Sequence, residues 1–178
     1  ALYERVREDA AALGLVGIFF ECLPDDPALS PDPAIRKQNA ARLRFYERFG
    51  ARPIANTEYE TPLSPGDTDP PYLVFDGLCS DRLPHRKRTR AIGGAILERK
   101  DGERCPPDYV ERVIASFADD PIELRAPRYA PGKAGAPDAA PRKATGLIAL
   151  IVNDKHEIHH VRDRGYVEAP IRIRSVLG

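Results

Sequence analysis

Methionine is absent from these 178 residues, even at position 1, and cysteine and histidine are scarce at three and four. The missing methionine excludes little, since removal of an initiator ahead of Ala1 accounts for position 1. The scarce cysteines exclude more. Cys22, Cys79 and Cys105 are odd in number and show no C-x-x-C spacing, so a disulfide framework is not expected and reduced thiols in a cytoplasmic protein are. Long apolar runs are also lacking. The stretch at 147–152, LIALIV, is far below the about 20 residues that a membrane-spanning helix needs. No secretory signal is expected either, because residue 1 opens directly into a charged helical pattern. Finally, there is no excess of charge. Lys and Arg total 27, as do Asp and Glu, so no global field points to nucleic acid or an anionic membrane as a partner.

What is present reads as globular. Apolar residues make up 42% and charged residues 30%, and the length allows one domain or two small ones. The Arg-, Ala- and Pro-rich usage suggests a bacterial source. Residues 1–14 carry Leu2, Val6, Ala10 and Leu13 at helical spacing, with Gly14 as a stop. Residues 15–23, LVGIFFECL, predict a buried strand. Asp32-Pro33 supplies an N-cap and a first-turn proline for a helix over 33–49, closed by Gly50. Strands are expected at 52–61 and 72–76, joined by the turn-rich TPLSPGDTDPP, and helices at 86–100 and 107–117. Residues 126–146 are rich in Ala, Pro, Gly and Lys/Arg without periodicity, which is linker composition. A new strand then begins at LIALIVN.

These elements divide into four expected segments: 1–78, a helical segment at 79–125, a flexible linker at 126–146, and 147–178. The first helix starts without a cap or loop before it, and 147–178 holds too little to bury a core. Both ends therefore read as cut, and the chain as a fragment of a larger protein.

Residues 39–50, NAARLRFYERFG, place Asn39, Tyr46 and Gly50 at the spacing of Asn, Tyr seven residues later and Gly four beyond. Ile35, Asn39, Leu43 and Tyr46 fall on one helix face, so an amide and a phenol emerge from an otherwise apolar stripe. The pattern resembles the late helix of GNAT-family N-acetyltransferases. It departs from them at Arg42, where a small residue is common, and at Ala51, where Phe is. The resemblance covers about 1–78 and implies the C-terminal half of a mixed α+β GNAT fold, helix-strand-helix-strand-strand. Strand 15–23 would be one arm of the splayed strand pair that admits the acetyl-CoA cosubstrate, and the last two strands would close the sheet. The Gly-rich loop that holds the CoA pyrophosphate would lie before Ala1. By the same resemblance Tyr46 would protonate the departing thiolate and Asn39 would lie along the pantetheine arm.

At the other end, a strand, the cluster His156-Glu157-Ile158-His159-His160 and the run Glu168-Ala169-Pro170-Ile171-Arg172 resemble the start of the histone deacetylase and acetylpolyamine amidohydrolase family. The resemblance covers about 147–178 and implies the first strand of an α/β deacetylase domain. That family's zinc site would lie far downstream of this chain. HEIHH also satisfies the H-E-x-x-H pattern of zinc proteases. That chemistry needs both histidines on one helix face and a third ligand, and neither His nor Cys follows His160.

Several residues carry two readings each. Tyr46 is a general acid or a core tyrosine with a backbone partner. Asn39 is a cofactor contact or an ordinary helix-surface amide. Glu21 is a general base or a strand-end carboxylate meeting solvent. Asp25 and Asp26 receive a cationic amine or simply form a Pro/Asp turn. The run His85-Arg86-Lys87-Arg88 touches phosphate or starts a solvated helix.

The expectation is an enzyme that moves acetyl from acetyl-CoA to an amine, fused to a truncated zinc-dependent deacetylase. Tyr46 and Glu21 would be catalytic, Asn39 would bind the cofactor, and no residue of the chain would bind metal. A small amine, polyamine or protein lysine would be the acceptor, and nothing indicates the oligomeric state. The rival expectation is a non-catalytic GNAT-like docking or regulatory module for the deacetylase.

Overall fold

The computed structural model describes residues 2–101 and 105–129. Four helices and three strands follow in the order α1 (Leu2–Ala12), β1 (Ile18–Cys22), α2 (Pro33–Glu47), β2 (Arg52–Pro53), β3 (Tyr72–Asp76), α3 (Arg86–Asp101) and α4 (Pro107–Ser116). The strands form one antiparallel sheet in the order β1-β3-β2, with Ile18 opposite Asp76 and Cys22 opposite Tyr72. The described chain is therefore a small mixed α+β unit.

Local chemistry explains where the elements stop. Asp32 caps α2, its carboxylate accepting from the Ala34 and Ile35 amides at 2.7 and 3.4 Å. Gly50, at φ +86°, turns the chain out of that helix. The expected strand over 52–61 is cut to two residues for a similar reason. Ile54 still donates to Leu73 O and Ala55, on the opposite side as strand alternation requires, to Glu123 O, but Asn56 takes a positive φ of 55° that ends extended backbone. At the far end of α4, Arg86 and Arg90 donate to the Ala118, Phe117 and Ala115 carbonyls, which the helix itself leaves without partners.

Side chains alternate across the sheet. Phe20, Cys22, Tyr72 and Val74 face α2, where they pack with Leu43, Ala51 and Tyr46. Phe19, Leu73 and Phe75 face the other way, into a cluster with Leu97, Cys105, Tyr109, Val110, Val113, Phe117 and Ile122. Helices thus cover both faces. Residues 79–125, expected as a helical segment, pack Leu97, Tyr109, Val113, Phe117 and Ile122 against Leu73 and Phe75 of β3.

The segment after α4 also departs from expectation. Leu124 bridges Ile54, and the Arg125 amide donates to Pro53 O at 2.8 Å, so 122–125 runs as an extended strap beside β2. It continues into the first residues of the expected linker, and the Arg128 and Tyr129 amides donate to Glu47 of α2. The rest of that linker, the expected strand at 147–152, the HEIHH cluster and Glu168 to Arg172 lie outside the described residues. No described helix is long and apolar enough to cross a membrane.

Candidate functional site

Tyr46 sits in the last turn of α2, half-buried, with Phe20 of β1 at 4.6 Å between ring centroids and Tyr3 of α1 at 4.9 Å. β1 is an outer strand, paired on one side by β3 and, among the described residues, by no strand on the other. The Tyr46 ring packs on the α2-facing side of this outer strand. The stripe expected on this helix is only partly an inward face. Asn39 and Leu43 are each 1% exposed, but Ile35, one turn earlier, is 38% exposed.

Asn39 is a buried amide, not a surface one, and one of its two N–H donors is already used. Its Nδ2 donates to the Pro24 carbonyl at 2.9 Å and ties the loop after β1 to α2. A buried amide of this kind satisfies a carbonyl that would otherwise lose its solvent partner.

Glu21 follows Phe20 on β1 and so points to the opposite face. It accepts from the Tyr59 hydroxyl at 3.0 Å, and burial followed by the Glu21 charge pushes the Tyr59 phenol far above its ordinary value. Tyr59 thus remains a neutral donor. The fold does not bring Glu21 and Tyr46 to one surface; the edge of β1 separates them.

Asp25 does not present a free charge to an amine. Its side chain is fully buried and accepts from Arg125 at 2.8 Å, the Tyr129 hydroxyl at 2.6 Å and the Tyr72 hydroxyl at 3.3 Å, with Arg128 Nη1 at 3.4 Å. Burial pushes this carboxyl up, but the Arg125 and Tyr129 hydrogen bonds and the two guanidinium charges together hold it below its ordinary value. Asp26 is half-buried, and its carboxylate accepts from the Ala28 amide within the turn. The basic run at 85–88 also has internal work. His85 meets Asp120 at 3.0 Å, and Arg86 caps α4 as described.

Two groupings went unread in the sequence. One is the Asp25 network itself, whose partners lie 47 to 104 residues away. Its one visible signal was Tyr129, the single aromatic in the Pro-rich stretch 126–146. The other joins Tyr3, Arg7 and Asp76. Arg7 Nε and the Tyr3 hydroxyl each donate to Asp76 Oδ2 at 2.7 Å, and Arg7 Nη2 reaches Cys79 Sγ at 3.1 Å. Beside the Asp25 network lies a cleft of about 210 Å³ walled by Asp26, Leu29, Glu60, Tyr72, Arg125 and Arg128. Burial raises the Glu60 carboxyl above its ordinary value. Among the described residues no group of three or more His, Cys, Asp or Glu is gathered to hold a metal ion.

Tyr46 thus packs on one face of β1, and the Tyr59-bound Glu21 carboxylate lies on the other. No protein-family model, no curated protein and no solved structure matches the chain.

Proposed function

We propose that the chain belongs to an N-acetyltransferase that moves acetyl from acetyl-CoA to an amine, within a protein that also carries a zinc deacetylase-like domain. The observation that carries this reading is the contact between Tyr46 and Phe20. The tyrosine of the Asn39/Tyr46/Gly50 pattern lies against the outer strand β1, the strand expected to form one arm of the splayed pair. The last two strands close the sheet on the other side of β1, which also supports it.

In this mechanism a neutral amine attacks the thioester carbonyl. The C–N bond forms, the C–S bond breaks, and the thiolate leaves. Tyr46 supplies a proton to that sulfur, and a base takes one from the amine. Glu21 is the candidate base. It lies across the strand from Tyr46, so amine and thioester would have to meet at the edge of β1, where both faces are reachable. Asn39 would add its carbonyl oxygen and its second N–H to cofactor binding, since one N–H is engaged with Pro24.

That same bond is the observation favouring a second reading, a non-catalytic module on which the deacetylase domain docks. Turnover separates the two. With acetyl-CoA and a panel of small amines, polyamines and lysine peptides, the full-length protein should release free thiol. Tyr46→Phe should lower kcat roughly 100- to 10,000-fold with little change in the KM for acetyl-CoA. Near wild-type turnover in that variant, with chemistry rate-limiting, would remove Tyr46 from the reaction. Absence of both acyl transfer and acetyl-CoA binding would leave the docking module.

A further inference from the structure

Three aromatic rings lie against Tyr46. Phe20 of β1 stands at 4.6 Å between ring centroids, Phe45 of its own helix at 5.2 Å, and Tyr3 of α1 at 4.9 Å in a T-shaped contact with the rings 73° apart. Edge-to-face contact is a preferred aromatic geometry, because the positive rim of one ring meets the negative face of the other. Tyr3 also touches Phe20, Phe45 and Phe49 at 5.9, 5.9 and 5.3 Å, so it is the ring on which this aromatic group converges.

Of the three rings around Tyr46, only Tyr3 has a polar end. Its hydroxyl donates to Asp76 Oδ2 at 2.7 Å, and the Asp76 side chain is fully buried at the end of β3. Arg7, one turn further along α1, donates to the same oxygen at 2.7 Å and also reaches the Phe49 carbonyl at 3.2 Å. The buried carboxylate is thereby charge-balanced, and burial, then the Asp76 charge, keep the Tyr3 phenol protonated. A ring held by packing alone can slide. A ring with its far end bonded to a buried, paired carboxylate cannot do so without breaking that bond.

We propose that Tyr3 is a positioning residue for Tyr46: anchored through its hydroxyl to Asp76, which Arg7 pairs, its ring sets the direction in which the Tyr46 hydroxyl points. The proposal rests on the acetyltransferase reading. It adds that α1, which contributes no reacting group, controls the aim of the proton donor. Aim matters because displacing a reacting group by about 1 Å costs on the order of 100-fold in rate.

The test compares Tyr46→Phe, Tyr3→Leu and Tyr3→Phe in the full-length protein, with 19F NMR of fluorotyrosine-labelled samples. The Tyr46 resonance is identified by its loss in Tyr46→Phe. Tyr3→Leu removes ring and anchor and should lower kcat by about 10- to 100-fold at an unchanged KM for acetyl-CoA. Tyr3→Phe keeps the ring, loses only the bond to Asp76, and should fall between wild type and Tyr3→Leu. The Tyr46 resonance should shift in both. Wild-type kcat in Tyr3→Leu beside a slow Tyr46→Phe would overturn the proposal and leave the transferase reading intact. So would a kcat loss in either Tyr3 variant with the Tyr46 resonance unmoved. Should Tyr3→Leu fail to fold, Tyr3→Phe, one oxygen smaller, carries the test alone by the same two readouts. Wild-type turnover in Tyr46→Phe overturns the transferase reading itself, and the proposal with it.

Discussion

Asp25 is the residue on which the strap after α4 depends. A carboxylate with no exposed side-chain surface is costly to hold unless paired, and here two arginines and two tyrosines converge on it. Removing its charge leaves Arg125, itself only 16% exposed, facing a neutral group and the more distant Glu47 at 4.0 Å. Asp25→Asn should therefore destabilise the fold at pH 7 by about 3–5 kcal/mol. Its carboxyl titrates below the ordinary value when folded, so its contribution is complete above about pH 4 and is lost as pH falls through the folded value. Urea titrations at pH 7 and pH 3 check both statements. The gap between wild type and Asp25→Asn should narrow in acid, by up to about 1.4 kcal/mol per pH unit. A gap that stays constant would mean the carboxylate charge is not what holds the strap.

At the scale of elements, two glycines test how tightly the strands and helices are set. Gly17 enters β1 where a Cβ would overlap the Phe75 ring and lie 2.6 Å from the Asp76 carbonyl oxygen. Backbone cannot yield as a flexible side chain does, so Gly17→Ala should cost about 1–3 kcal/mol. Gly50 ends α2 with open space around it but φ at +86°. Gly50→Ala meets only the left-handed backbone penalty, about 1 kcal/mol. Thermal melts of both should rank Gly17→Ala as the more damaging. The reverse order would show that the approach of β1 to β3 relaxes more readily than the turn after α2.

For the whole molecule, the decisive feature is that the sheet has helices on both faces. Leu73 and Phe75 are almost fully buried against α3 and α4, and Phe117 and Val113 of that layer have no exposure at all. Cutting the chain to 1–78 would expose one apolar face of a three-stranded sheet, which is marginal without a covering layer. Such a chain should show no cooperative thermal transition and should bind a hydrophobic dye. A sharp melt would establish 1–78 as an independent domain. In the full chain, Phe117→Ala should cost about 3–5 kcal/mol, because the cavity it leaves is walled by the sheet and both helices.

Periodicity and capping are local, so they were legible from the residues alone. Asp32-Pro33 started α2 where expected, Gly50 closed it, and the helices near 86 and 107 and the strand at 72–76 lie where their patterns put them. The spacing of Asn39 and Tyr46 was likewise enough to put both on one helix. The chain pattern did not contain what each of them would meet. Asn39 turned inward to a carbonyl 15 residues back, and Glu21 and Tyr46 went to opposite sides of one strand. The second strand shrank because Asn56 takes a positive φ of 55° that ends extended backbone two residues after Ile54. Asp25, expected in an ordinary turn, became the centre of a buried network through arginines and tyrosines distant in sequence. Buried pairing of this kind depends on which groups the folded chain desolvates together, and only the tertiary structure decides that.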